Sequence, residues 1–167
     1  MAWKSPDTAI QISIGTSWNE ASIPNVKDDN TATYAYTGSI GPSEATKIIE
    51  MGLSSAIKCD KIRIWGIELD EESDPGPPSI NLSVYHDGSW DDIWNGLISE
   101  DVWVTIQLGG TYLVSKARVY FQNIDEFNPL AGVRFNEFDF NQVGIVRPLI
   151  GNSGLIHSPL LSGGLIG

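Results

Sequence analysis

The chain of 167 residues is long enough for one domain with an ordinary core, since 41% of its residues are hydrophobic. Its formal net charge of −11 argues against a nucleic-acid partner or an anionic membrane surface, because both require a basic face. Cys59 is the sole cysteine, which excludes an intrachain disulfide and a thiolate zinc cluster.

The N-terminal residues 1–6 contain no apolar segment, so we predict synthesis in a cytoplasm without a signal peptide. No stretch approaches the roughly 18 apolar residues that a spanning helix requires. We therefore predict no membrane insertion.

Alternation of apolar and polar residues dominates the chain and predicts half-buried β-strands. The apolar sets are, in chain order, Ile10, Ile12 and Ile14; Ile62, Ile64, Ile67 and Leu69; Ile80, Leu82 and Val84; Val102, Val104, Ile106 and Leu108; Ala117, Val119 and Phe121; and Val133 and Phe135. Turn-forming stretches such as 74–78 and 108–110 separate these sets. Helix signals are scarce: residues 43–52 fit either one or two helical turns or an edge strand. The pattern predicts an all-β sandwich or barrel.

The composition changes after Gly144, and residues 148–167 contain no Asp, Glu, Lys or Arg. We therefore predict a sandwich domain at 1–146 and an extended, apolar C-terminal arm at 147–167. Gly and Pro prevent a long helix there, and the large side chains need a surface. The arm either packs on its own sandwich, docks onto a neighbouring subunit, or is a disordered or cloning-derived end. We favour docking, through Leu149, Ile150, Leu155, Ile156, Leu160, Leu161, Leu165 and Ile166.

Three segments resemble, in order, motifs of the galactose-binding-like family, which includes discoidin domains and the C domains of coagulation factors. They are the turn at 28–34, the Asp-Gly-Ser-x-Trp hairpin at 83–90, and the final strands at 114–121 and 133–138. The resemblance spans residues 18–143 and implies an eight-stranded jelly-roll β-sandwich that binds ligands at loops on one end. The chain departs from the family at Asp29, where glycine is preferred, and in lacking the family's cysteines.

The resemblance also implies a structural calcium ion, held by Asp28, Asn30 and Thr33 and closed by Glu137. Calcium prefers six to eight oxygen ligands, which such a turn can present. Glu137 shares the parity of Val133 and Phe135, so its carboxylate points with apolar neighbours and needs a cation or hydrogen-bond donors. The alternative is a solvated Asx turn with Glu137 at a strand end.

Six tryptophans suggest a stacking surface for sugars or an anchor for a protein partner. Trp90 is expected to tuck partly inward in its hairpin, so Trp94 is the more plausible exposed aromatic and our candidate ligand-binding residue. Only His86 and His157 could act as general bases near neutral pH, and no catalytic motif accompanies either of them.

We therefore predict a non-enzymatic structural virion protein, located in the virion as a capsid decoration or a tail or fibre component. Its partners would be other virion subunits or its own copies, contacted through the arm. This step rests on analogy of fold and context. The alternative is a carbohydrate-binding module that attaches to a host glycan.

Overall fold

The computed structural model describes residues 2–65, 78–97, 99 and 101–144. The all-β sandwich prediction is confirmed. The described part has one 3₁₀ helix, Glu20–Lys27, and nine strands: β1 (Ala2–Lys4), β2 (Thr8–Ile12), β3 (Ala35–Tyr36), β4 (Ile48–Trp65), β5 (Ser79–His86), β6 (Ser89–Gly96), β7 (Trp103–Gln122), β8 (Arg134–Phe135) and β9 (Phe138–Gln142).

The predicted arm at 147–167 lies outside the described residues, and so does the predicted boundary at 146. The same holds for its eight candidate docking residues: Leu149, Ile150, Leu155, Ile156, Leu160, Leu161, Leu165 and Ile166. Docking by the arm stays a prediction.

Two long strands, β4 and β7, belong to both layers of the sandwich. The first half of β4 and the second half of β7 lie in a five-stranded layer ordered β2–β4–β7–β5–β6. Their other halves lie in a layer ordered β1–β9–β4–β7. Side chains of both layers meet in one hydrophobic core, where Phe121 packs edge-on against Trp18 and Phe135.

The stretch 108–110, predicted as a turn between two strands, lies instead within β7. Cys59 pairs with Tyr112 and Lys61 pairs with Gln107, so residues 108–111 bulge out opposite the single residue Asp60. A bulge bends a strand without ending its ladder. Gly109 makes this possible with a φ of 77°, which glycine adopts without a steric penalty.

In β2 the buried face is not the one that was predicted, which carries the isoleucines. Ala9 packs against the core, whereas Ile10 is 53% exposed and Ile14, beyond the strand end, is 98% exposed. The covered side of β2 carries Gln11, whose side chain accepts from the Trp18 backbone and donates to Glu20. Because the segment around the 3₁₀ helix satisfies this polar side chain, the isoleucines face outward.

Residues 43–52 form neither a helix nor an edge strand. From Ile48 onward they belong to β4, which pairs with β2 on one side and with β7 on the other. The 3₁₀ helix was not predicted; its N-cap is Asn19, whose side chain accepts from the Ala21 N–H at 3.1 Å. Within the described ranges, no helix has the length and apolar character needed to span a membrane.

Candidate cation site and ligand-binding surface

The turn at residues 28–33 is organised around one carboxylate. Asp28 accepts from the backbone N–H of Asn30 at 3.0 Å and from the hydroxyl of Thr33 at 2.8 Å. Asn30 in turn accepts from the backbone N–H of Ala32 at 3.1 Å. Asp29 has a φ of 58°, the left-handed region in which Asp is tolerated and Gly is favoured. These hydrogen bonds fix the conformation of the turn.

Glu137 reaches this turn from the segment between β8 and β9. Its Oε1 accepts a 2.8 Å hydrogen bond from the Asn30 N–H, and its Oε2 is buried without a hydrogen-bond partner. Only 1% of Glu137 is exposed. Burial, together with the nearby Asp28 carboxylate, raises the pKa of Glu137 to about 8. The structure thus brings Asp28, Asn30, Thr33 and Glu137 together.

A second group of polar residues, missed in the sequence, lies beside this turn. The hydroxyl of Ser5 lies 2.7 Å from Asp29 Oδ1 and 2.8 Å from Asp139 Oδ1. Arg63 neutralises the buried Asp139, with Nη2 at 2.6 Å from Oδ2. Asn136 donates to the Thr31 carbonyl at 2.8 Å, while its own side-chain oxygen is buried without a partner.

The oxygens around Glu137 fit a hard cation better than a transition metal. No group of three or more His, Cys, Asp or Glu side chains suited to a metal occurs in the part of the chain that is described. Asp28 and Glu137 supply two carboxylates, and the turn adds neutral carbonyl and hydroxyl oxygens, which is the mixed ligand set that calcium accepts. The Oε2 of Glu137 is buried without a hydrogen-bond partner, and leaving a carboxylate oxygen unpaired in this way costs folding free energy. A bound cation would remove this cost.

A groove opens beside the turn, where β3 pairs with β8. It has a volume of about 350 Å³ and is lined by Tyr34, Tyr36, Thr37, Gly132, Val133 and Arg134. The Arg134 guanidinium lies 4.8 Å from the Tyr34 ring centre, and Asn19 donates to the Tyr36 hydroxyl at 2.7 Å. A Cβ on Gly132 would lie 2.8 Å from the Thr37 carbonyl oxygen, so glycine lets the two segments approach closely.

A loop at residues 123–128 presents the most exposed aromatic side chain among the described residues. Phe127 is 84% exposed, yet its loop is held firmly. Asp125 accepts from the backbone N–H groups of Phe127 at 2.7 Å and Asn128 at 2.9 Å, which lowers the pKa of that carboxyl. The buried Asn123 donates to the carbonyls of Ile40, Gly41 and Asn128.

The groove and the Phe127 loop lie on one paired ribbon, formed by residues 34–46 and 122–135. Tyr36 pairs with Arg134 near one end, and the Ser43 N–H donates to the Asp125 carbonyl at 3.0 Å near the other. An isolated bridge joins Ile40 to Leu130 between them. We call this surface the aromatic ribbon.

Trp94 lies away from the aromatic ribbon. It is 38% exposed on β6, which in the described sheets is an edge strand that pairs with β5. Trp90 is half-buried, as expected, with the Arg118 guanidinium 3.8 Å from its ring centre. Tyr36 and Phe127 were not among the predicted ligand-binding residues. The signal available for Phe127 was the pair Asn123 and Asp125, two residue types that build side-chain turns.

No protein-family model and no curated protein matches the chain. Solved structures do match. The CBM32 of AlyQ, in complex with 4,5-unsaturated mannuronic acid, has a TM-score of 0.55 and 14% identity, covering 84% of this chain and 98% of its own. The C-terminal domain of a chitobiase from Bacteroides fragilis has a TM-score of 0.56 and 15% identity, covering 84% and 97%. CpGH89CBM32-6 from Clostridium perfringens has a TM-score of 0.52 and 17% identity, covering 81% and 92%.

These likenesses define a galactose-binding-like β-sandwich, the fold that CBM32 carbohydrate-binding modules share. These three structures include no virion protein, so the predicted virion role has no support from them.

Proposed function

We propose that this chain is a non-catalytic carbohydrate-binding module that holds its sugar on the aromatic ribbon and is stabilised by a structural calcium ion. The observation that carries the proposal is the exposed ring of Phe127 on a loop fixed by Asn123 and Asp125. The chain's similarity in fold to CBM32 modules supports the same function.

An exposed aromatic ring on a rigid loop suits a sugar for two reasons. The C–H face of a pyranose is apolar, so stacking on Phe127 removes apolar surface from water on both partners. The loop is already ordered by its hydrogen bonds, so little conformational entropy is lost on binding. The Phe127 ring is therefore ready to bind without rearrangement.

The groove, towards the other end of the ribbon from Phe127, would supply polar contacts to an oligosaccharide that extends along the ribbon. Tyr36 is 43% exposed, and its hydroxyl can hydrogen-bond to a sugar hydroxyl. The guanidinium of Arg134, which also lines the groove, can donate to sugar hydroxyls. A few placed polar groups beside an aromatic surface are the usual composition of a small-ligand site.

Glycoside cleavage finds no support in this groove. Canonical glycosidases need two carboxyl groups placed roughly 5–10 Å apart across the bond. Among the described residues, the groove lining contains no Asp, Glu or His. This lining therefore supports sugar binding as the proposed role of the groove.

Calcium would stabilise the shape of the groove. The turn at 28–33 leads directly into β3, and Glu137 lies two residues beyond the end of β8. An ion shared by Asp28 and Glu137 would pin the two segments that carry Tyr36 and Arg134. Bound calcium supplies charge neutralisation there, and the residues of the chain keep the groove in shape.

Isothermal titration with oligosaccharides that contain galactose, N-acetylglucosamine or mannuronic acid tests the function. We expect one of these sugars to bind, and Phe127→Ala and Tyr36→Ala each to weaken binding about tenfold or more, which corresponds to about 1.4 kcal/mol. Leu113→Ala is the matched control, because Leu113 is also strongly exposed but lies outside the ribbon.

Trp94→Ala separates the aromatic ribbon from the surface predicted in the sequence. Unchanged affinity in this variant supports the ribbon. A loss confined to Trp94→Ala would place the sugar on β6 and reject the ribbon. No binding to a broad glycan array would reject the carbohydrate-binding function itself.

A further inference from the structure

An apolar stripe lies on the outer face of the sandwich at β2. It consists of Ile10 and Ile12 in β2 and of Ile14, two residues beyond the end of the strand, and we call it the isoleucine stripe. Ile10 and Ile14 are strongly exposed, while Ile12 is half-buried. Large apolar side chains grouped on one exposed surface usually mark an interaction site.

The stripe lies on an edge. In the described sheets β2 pairs with β4 alone, and it contains no charged residue that would protect its free edge. A hollow of about 320 Å³ lies beside Ile10, between β2 and the 3₁₀ helix, with Ile23 and Pro24 in its wall. A second, of about 290 Å³, lies beside Ile14, with Ile48 and Tyr120 in its wall. A partner would thus find an apolar ridge flanked by two recesses whose walls are partly apolar.

Charge restricts what can cover this surface. The chain carries a formal charge of −11, and Glu20 and Glu44 line recesses next to the stripe. Another acidic surface would be repelled, because like charges in an interface are costly. Residues 148–167 are the longest stretch of the chain without any Asp, Glu, Lys or Arg, and their large apolar residues are Leu and Ile. A neutral, apolar strand meets both requirements.

We propose that the isoleucine stripe of one copy is the acceptor for the C-terminal arm, residues 147–167, of a second copy. The arm offers its apolar side chains in pairs, such as Leu149 with Ile150 and Leu155 with Ile156, separated by Gly. Such pairs cover a ridge and its recesses, and the free edge of β2 offers backbone hydrogen bonds to an extended segment.

The exit point of the chain favours a second copy over the same copy. Gln142 pairs with Cys59, whereas Ile10 pairs with Glu50, nine residues away along β4, a path of about 30 Å. Leu149 follows Gly144 by five residues, a reach of about 17 Å. An arm folded back on its own sandwich would reach the stripe only with its later pairs, while a neighbouring copy can use the whole arm.

The test uses two full-length variants, each defective on one side of the contact. Ile10→Glu with Ile14→Glu removes the acceptor, and Leu155→Asp with Leu165→Asp removes the donor. In size-exclusion chromatography with light scattering we expect the wild type to self-associate and each variant alone to be monomeric. Mixed together, the two variants should form a one-to-one pair, because one copy keeps the acceptor and the other keeps the donor.

Leu113→Glu is the matched control, since Leu113 is as exposed as Ile10 but lies in β7. It should self-associate like the wild type. Melting curves of all variants show whether each one folds. A monomeric wild type, variants that still associate, or two folded monomeric variants that fail to pair would each overturn the proposal.

Discussion

The backbone N–H of Asn30 donates a 2.8 Å hydrogen bond to the Glu137 carboxylate, although 107 positions separate the two residues. This contact ties the turn before β3 to the segment after β8. It also leaves one oxygen of Glu137 buried without a partner, beside the carboxylate of Asp28. The stability of this junction should therefore depend on what neutralises Glu137.

Without calcium, stability should fall as the pH rises. The folded-state pKa of Glu137 is about 8, above its ordinary value of 4.5, so the folded protein favours the protonated form. Its stabilising contribution is complete below about pH 4.5 and is lost as the pH rises through 8. In a chelator, the melting temperature should decline between pH 5 and pH 8, with a loss of roughly 2–5 kcal/mol.

Calcium should reverse this loss at pH 8, by about 2.7 kcal/mol at a hundredfold excess over its dissociation constant. Glu137→Gln, which keeps the shape and removes the charge, should melt higher than the wild type in chelator at pH 8 and should not respond to calcium. A wild-type melt that ignores both chelator and pH would reject the cation site.

His86 should give a second, separable pH dependence. Its two ring nitrogens lie 3.1 Å from Asp87 and 2.9 Å from Asp91, so both contacts are satisfied only when the ring carries two protons. Burial alone would lower the pKa of His86, but the two carboxylates outweigh burial and raise it. This stabilisation is complete below the unfolded-state pKa of about 6.5 and is lost as the pH rises through the higher folded value.

His86→Gln in the Glu137→Gln background should flatten the remaining dependence of the melting temperature above pH 6. The double variant removes the overlapping titration of Glu137. A slope that persists in this variant would assign the effect to another group.

Arg63 should stabilise the fold by holding Trp3 of the N-terminal strand β1 and by neutralising Asp139. Its guanidinium lies 3.8 Å from the Trp103 ring centre and 4.5 Å from that of Trp3, and it pairs with the buried Asp139. Arg63→Met keeps much of the apolar stem but leaves Asp139 unpaired, which should cost about 3 kcal/mol in urea unfolding. Adding Asp139→Asn should recover much of that loss, since no buried charge then remains. Equal stability of the single variant and the wild type would contradict this role.

Residues 1–146 should fold without the arm. The last described strand, β9, ends at Gln142, and the core draws on residues up to Phe140. We expect the truncated chain to show β-type circular dichroism and one cooperative melt close to that of the full chain. Aggregation or a broad melt would mean that the arm completes the core.

Several strands could be predicted because they depend on local pattern, whereas the cation site was implied by the family resemblance and stays a prediction. Alternation revealed the buried set Ile80, Leu82 and Val84, and parity placed Glu137 with apolar neighbours. Alternation cannot say which face is covered, however. In β2 the core side is the one whose polar Gln11 finds partners on Trp18 and Glu20, distant contacts that no local pattern shows.

The aromatic ribbon could not be predicted from the sequence, because it too depends on distant contacts. The exposure of Phe127 depends on Asn123, which holds the carbonyls of Ile40 and Gly41 more than 80 positions away. The groove requires Gly132 to sit against Thr37. Both features arise only when 34–46 and 122–135 pair, and tryptophan content drew attention to Trp94 instead.

The passage of β4 and β7 through both layers means that neither layer belongs to one continuous stretch of chain. A break between β6 and β7 would separate the two shared strands, and each fragment would hold an incomplete part of both sheets. We expect neither fragment to fold alone, and we expect the sandwich to form again when the two fragments are mixed. The segment between Gly96 and Trp103 is therefore a site for splitting this domain into two fragments. Recovery of the folded sandwich would then show that the fragments have associated.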